Sequence, residues 1–253
     1  MAHFAQYRNS LPLNYNIVAH GGWFALEQTS TAQLAAKNYQ QVSKQLAMNV
    51  VAAGGYAAVQ ALAADPKGAL VQMIVNNNND PALLHITPER LTAVVGLLHA
   101  QGKGFSSDLV DGEWVSVLNV SSKTSPKRQK FVEKLEQKGQ SFSNFNCKEG
   151  IFTGNAKLLF GQGDLGSTVK FTPKAENFDI IGKTIVLRRI SCDIIGASWK
   201  VWKLPRIPIP LRKKGGFLDF SYLDHDIRIT KGNRGGLFVH FRPDFWKKMI
   251  QKK

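Results

Sequence analysis

From residue 113 to residue 241 the chain is a succession of short β-type runs separated by Gly, Pro, Asn and Asp. The runs are EWVSVLNV (113–120), KLLF (157–160), STVKFTP (167–173), KTIVLRRI (183–190), GGFLDFSYL (215–223), DIRIT (226–230) and GLFVHF (236–241). Strands this short, punctuated this often, cannot each cover a helix in a parallel α/β fold. They close on one another as a sandwich or barrel. One helix interrupts them: after Ser125-Pro126, KRQKFVEKLEQK (127–138) sets Phe131 and Leu135 one turn apart among Lys and Glu.

The preceding hundred residues have a different texture. Residues 31–64 are rich in Ala, Leu and Gln and hold no proline, which predicts helix, kinked at Gly54-Gly55. No charge occurs for 20 residues between Lys44 and Asp65, but Gln45, Asn49, Gln60 and the glycine pair make this a poor bilayer span and a better packed helix. Asn76-Asn77-Asn78-Asn79-Asp80-Pro81 reads as a loop. Thr87-Pro88 supplies a cap and an N1 proline for a helix to about His99, closed by Gln101-Gly102-Lys103-Gly104. The division predicted is therefore an N-terminal arm and helical region, 1–104, followed by a β-domain, 105–253.

Charge follows the same division. Residues 1–110 carry 6 Lys and Arg against 5 Asp and Glu, whereas residues 111–253 carry 27 against 13, a net +14 within the chain's total of +15. The β-half is built to meet an acidic partner. Residues 199–214, WKVWKLPRIPIPLRKK, concentrate six cations, two tryptophans and three prolines. Proline excludes a continuous helix and a central strand, leaving an exposed edge or loop. Trp199, Trp202, Lys203, Arg206, Arg212, Lys213 and Lys214 suit the headgroup layer of an anionic membrane, or an acidic protein surface. FWKKMIQKK at the C-terminal end has the same chemistry and extends the patch. Nucleic acid ranks lower, because no zinc finger, basic helix or RNP-type motif accompanies the charge. A solvated basic rim is the plainest alternative.

No catalytic or metal site emerges. The six histidines show no HExxH or HxH spacing, and neither Cys147 nor Cys192 has a CxxC partner, so the two are free thiols or one disulfide. His225 between two aspartates is the sole metal candidate by composition. Gly161-Gln162-Gly163-Asp164-Leu165-Gly166 matches GxGxxG but leads into a strand pattern rather than a helix, which fails the dinucleotide context. Tyr222-Leu223-Asp224-His225-Asp226-Ile227-Arg228 permits two readings. As one strand it sets Asp224, Asp226 and Arg228 on one face; as a turn between strands it makes Arg228 an ion-pair partner of an aspartate. Turn chemistry favours the second, with Lys231 to Gly236 as the next turn.

SYLDHDIRITKGNRGGLFV (221–239) resembles the C-terminal signature of the plastid lipid-associated proteins, the fibrillins or plastoglobulins. The resemblance rests on Tyr222-Leu223-Asp224, Asp226, Arg228-Ile229, Lys231-Gly232 and Leu237-Phe238-Val239, with Gly112-Glu113-Trp114 similar to the opening of that family's domain. Departures are His225 for an acidic residue, Lys231 for arginine, and VSVLNVSS after Trp114. The resemblance implies an α+β fold, a lipocalin-like antiparallel β-barrel preceded by an α-helical N-terminal region. It implies that Trp114 plugs one barrel end, and that Arg228 with Asp224 or Asp226, together with Gly232, ties the last strands. Trp114, Phe171, Tyr222 and Phe238 are the barrel residues expected to meet a ligand: a lipid, carotenoid or prenylquinone, with no other cofactor. The function implied is non-enzymatic lipid or isoprenoid binding at a thylakoid or plastoglobule surface in a plastid, with a mitochondrion as the alternative organelle. The alternative function is a structural accessory subunit of a membrane-bound energy-organelle complex, using the barrel as scaffold.

Overall fold

The computed structural model describes residues 62–79, 86–122, 124–125, 140–158, 163–181 and 184–251. The helix expected at 127–138 lies outside the described residues, as does all but the end of that expected at 31–64. In chain order the elements are α1 (Pro66–Asn79), α2 (Pro88–His99), α3 (Ser107–Val110), β1 (Gly112–Val120), β2 (Ser141–Asn146), β3 (Ile151–Leu158), β4 (Gly163–Ile181), β5 (Thr184–Val201), β6 (Ile207–Ile209), β7 (Lys213–Leu223), β8 (Ile227–Gly232), β9 (Leu237–Phe241) and α4 (Pro243–Gln251).

All pairings are antiparallel, in the order β4-β3-β2-β1-β9-β8-β7-β5, and β4 pairs again with β5. Eight strands thus close into the barrel expected from the sequence, and β6 is added to the outside of β5 through Ala197–Trp199. The proline-rich segment is an edge, as its composition requires. Strand β2, SFSNFN, was not anticipated because it is polar. β4 and β5 run far beyond the predicted cores, continuing past Pro173 through a register shift between Lys174 and Phe178.

Alternation on β1, β8 and β9 sends Val115, Val117, Ile227, Ile229, Val239 and Phe241 to the outer face, where α1, α2 and α4 cover them. Helix α2 begins where its cap dictates, Thr87 Oγ1 accepting from Arg90 N at 3.3 Å, and buries Leu91, Val94, Val95 and Leu98. Helix α1 starts in the same way at Asp65-Pro66, with Asp65 Oδ1 accepting from Gly68 N at 2.8 Å. It buries Leu70, Val71, Met73 and Ile74 and continues through the asparagines expected to form a loop. Packing of that apolar face overrides the weak helix propensity of asparagine. The C-terminal FWKKMIQ is helical, and Trp246 is buried against the barrel rather than joining a basic surface patch.

A second cluster fills one end of the barrel. Trp114, Phe145, Phe171, Ile190, Phe220 and Leu223 pack there with Phe105. Ring pairs Phe105–Phe220 at 5.2 Å and Phe145–Phe171 at 5.4 Å meet edge to face, and Phe145 stacks on Phe152 at 4.6 Å.

Candidate ligand chamber and basic rim

Above this aromatic floor the barrel holds two separate hollows, each partly open to solvent. An apolar chamber of about 240 Å³ is bounded by Phe152, Val169, Cys192, Ile194, Leu218 and Phe238, from strands on facing walls. A second chamber of about 220 Å³ has a surface as largely apolar as the first, with Phe142, Leu165, Leu211 and Phe238 in its lining. It is polar only in that Ser116, Ser141, Ser143, Asn155 and His240 also border it. Phe238 forms a wall of both. The polar border has a simple origin. β1, β8 and β9 must turn their apolar residues outward to hold the helices, so the alternate positions that face inward are Ser116, Arg228, Thr230 and His240.

A concavity of about 750 Å³ lies outside the barrel between α2 and the β4–β5 hairpin. Its two arginines are already paired: Arg188 Nε donates to Asp179 at 2.7 Å and Arg189 Nε to Asp219 at 2.6 Å. The barrel interior is the candidate binding site because facing strands enclose it with an apolar wall.

The four residues expected to meet a ligand do not come together. Trp114 is wholly buried in the floor, its indole N–H donating to Val110 O at 2.7 Å, with the guanidinium groups of Arg242 and Arg228 3.9 and 5.3 Å from the ring. Phe171 lies beside it in the same floor. Phe238 alone lines the chambers. Tyr222 is placed on the outer face, beneath the helices, because the register shifts between Phe220 and Tyr222 and reverses the alternation.

The Asp-His-Asp segment is a turn, and its ion pair differs from the one expected. Asp224 Oδ1 accepts from the backbone N of Asp226 and of Ile227, both at 2.8 Å. Asp224 Oδ2 accepts from Tyr222 Oη at 2.8 Å and from Lys67 Nζ at 2.8 Å, and Lys67 also reaches Asp226 at 2.6 Å. Burial pushes the Asp224 carboxyl up, but the donors, Lys67 foremost, hold it below the ordinary carboxylate range. His225 is exposed. Among the described residues no group of three or more His, Cys, Asp or Glu stands together in a metal-ligating arrangement. Gly232 closes the next turn, its N donating to Gly236 O at 2.9 Å; a Cβ there would press on the Phe238 ring at 3.3 Å.

Arg228 pairs with neither aspartate. It points into the barrel, 3% exposed, and Nη2 donates to Ser143 Oγ at 2.7 Å. Its Cζ lies 4.8 Å from the centroid of the Phe145 ring. Nε and Nη1 have no hydrogen-bond partner, nor has the enclosed Nδ1 of His240. Strand register sets Ser141, Ser116, His240 and Arg228 side by side across four strands. Local reasoning paired Arg228 with its sequence neighbours; the period-two Ser141-x-Ser143-x-Phe145 was the signal that a polar inner face awaited it.

The basic segment continues directly into the chamber walls: Ala197 and Leu211 line the second chamber and Lys213 the first. Trp202 is 74% exposed and Trp199 47%, with Leu204, Ile207 and Leu211 also uncovered. Lys203, Arg206, Arg212, Lys213 and Lys214 are exposed around them; Arg206 reaches Ser198 Oγ at 3.1 Å and Asp164 at 3.8 Å. Trp202 holds φ +53°, a left-handed backbone rare for a bulky residue. Both thiols are free. Burial raises Cys192 to about 12 and Cys147 to about 11, so neither is a nucleophile near neutrality.

The family model described as PAP_fibrillin matches residues 105–240. No curated protein and no solved structure matches the chain.

Proposed function

The chain belongs to the PAP_fibrillin family, and from that premise we propose that it is a non-enzymatic barrel that binds one lipid or isoprenoid molecule at the surface of an organelle membrane. The family is one of lipid-associated, plastid-associated proteins, which supports a plastid location for this chain, peripheral to a thylakoid or plastoglobule. The observation that carries the binding reading is the hollow above the aromatic floor, with its apolar wall of Phe152, Val169, Ile194 and Leu218. Burial of a ligand's apolar surface there contributes about 25 cal/mol per Å². Ligand classes that fit such a wall are lipids, carotenoids and prenylquinones.

The membrane reading rests on the rim. Exposed tryptophans beside five cations put amphipathic rings at headgroup depth and charge against anionic lipid, each cation contributing about 1 kcal/mol near the surface. A lipid leaving the bilayer at this rim would enter the chamber without crossing water. Native mass spectrometry of the gently extracted protein, with lipid analysis of what dissociates, tests the binding reading. The expected result is one stoichiometric apolar ligand, lost on Ile194→Trp, which fills the apolar chamber. A ligand-free chain, or a ligand retained by the filled variant, would remove the chamber from the account.

A further inference from the structure

Among the described residues two guanidinium groups are buried, Arg188 and Arg228, and their surroundings treat them differently. Arg188 is fully provided for: besides Asp179, it donates to the carbonyls of His99 at 3.1 Å, Phe220 at 3.2 Å, Ser221 at 3.3 Å and Lys103 at 3.4 Å. Arg228 is as deeply buried but donates to one serine hydroxyl, and the N–H groups of Nε and Nη1 have no acceptor. No described carboxylate forms an ion pair with it, and the neighbouring charge, Arg242, has the same sign. The π faces of Trp114 and Phe145 offset part of the desolvation.

Burial and Arg242 lower the Arg228 pKa to about 9, so the group is still a cation at neutral pH. A buried charge without a counter-charge is among the costliest features a fold can carry. Here the missing partner is an anion. Its place is indicated by the groups around it. Arg228 lies behind the lining of the second chamber, held to it through Ser143, which with His240 borders that chamber. His240 adds a second enclosed atom without a partner, Nδ1. Burial and Arg228 keep that imidazole neutral, with one N–H and one acceptor.

We propose that Arg228, Ser143 and His240 form the head-group site for the carboxylate of a single-chain amphiphile, which enters the barrel head-first and leaves its chain in the apolar chamber. The charge selects the head. Arg242, the other cation at the Trp114 ring, already has the Asp111 carboxylate near it. A monoanion therefore neutralises what remains, Arg228, whereas a doubly charged phosphate would exchange one unbalanced charge for another. The volume agrees, since the second chamber of about 220 Å³ is divided from the first by the single side chain Phe238. This assignment rests on the reading of the barrel as a lipid-binding cavity and specifies its ligand class.

Calorimetric titration of the delipidated full chain with dodecanoate, dodecanol and inorganic phosphate tests it, using wild type and Arg228→Gln. The expected result is dodecanoate binding at least about tenfold tighter than dodecanol, as a charge-assisted hydrogen bond requires, with phosphate unable to displace it. In Arg228→Gln the two ligands should bind equally. Equal affinity for acid and alcohol in the wild type would overturn the carboxylate site and leave the hollow barrel standing. Failure of both to bind would overturn the cavity reading with it. Displacement by phosphate, or an Arg228→Gln variant that keeps the preference for the acid, would also overturn the assignment. The wild-type comparison decides even if the variant does not fold.

Discussion

The ammonium of Lys67 lies 2.8 Å from Asp224 and 2.6 Å from Asp226, joining helix α1 to the β7–β8 turn across more than 150 residues of chain. The turn is the centre of the segment by which the family resemblance was drawn. Its aspartates hold the helical layer to the barrel end, and Tyr222, displaced to the outer face, donates its hydroxyl to the same carboxylate. The acidic turn favoured from the sequence is a structural clasp between two layers.

Removing Lys67 leaves the largely buried Asp224 carboxylate without its cation. Lys67→Met is expected to destabilise by about 1–3 kcal/mol, the desolvation cost of an unsatisfied buried group. Asp226→Asn should cost less, because that carboxylate is 40% exposed. Urea denaturation with an unchanged m-value is the measurement.

The same pair predicts a pH profile. The folded carboxyl of Asp224 is held below its unfolded value of about 3.9, so its stabilisation is complete above that pH and is lost as pH falls through the folded value. Burial pulls Lys67 down, but its two aspartates raise it overall, so its share is complete below the unfolded lysine value of about 10.4 and is lost as pH rises through the higher folded value. Lys67→Met should flatten the alkaline limb and weaken the acid one in melting curves recorded from pH 3 to pH 11.

Arg228→Met should leave the ligand-free barrel as stable as wild type or raise its stability by about 1–4 kcal/mol, the range seen when buried ions are replaced by apolar groups of similar volume. A thermal melt of the delipidated variant checks this. A large loss would show that Arg228 is held for the fold.

Replacing Arg206, Arg212, Lys213 and Lys214 by glutamine should weaken binding to anionic vesicles and flatten its salt dependence. Trp199→Ala with Trp202→Ala should weaken binding at high salt too, since interfacial insertion is not screened. Co-sedimentation across a salt series separates the two. No change in either variant would detach residues 199–214 from the membrane.

Much of the barrel was legible because turn chemistry is local. Gly112, Gly232, Gly235, Pro205 and Pro210 each mark a boundary that the fold respects, while Pro208 sits within the short edge strand β6. Strand β2 was not legible, since SFSNFN is polar on the face that enters the second chamber, and helix α1 was read as a loop at its asparagines although Asp65-Pro66 announces its start. The site was less legible than the fold. One register shift at Phe220–Tyr222 moves Tyr222 to the outside, and the partners of Asp224 and Arg228 are Lys67 and Ser143, residues far away in sequence that no local pattern connects to them.

The distribution of tryptophan gives the protein an internal optical readout. Trp114 and Trp246 are enclosed, one among aromatic rings and guanidinium groups, whereas Trp199 and Trp202 stand in solvent at the rim. The enclosed pair emits at short wavelength and the rim pair at long wavelength. Immersion of the rim in a lipid headgroup layer therefore shifts the red component alone. Neutralisation of the cation above the Trp114 ring changes the blue one. With Trp23, which lies outside the described residues, replaced by Phe, docking and loading are separable in a single emission spectrum, without a label.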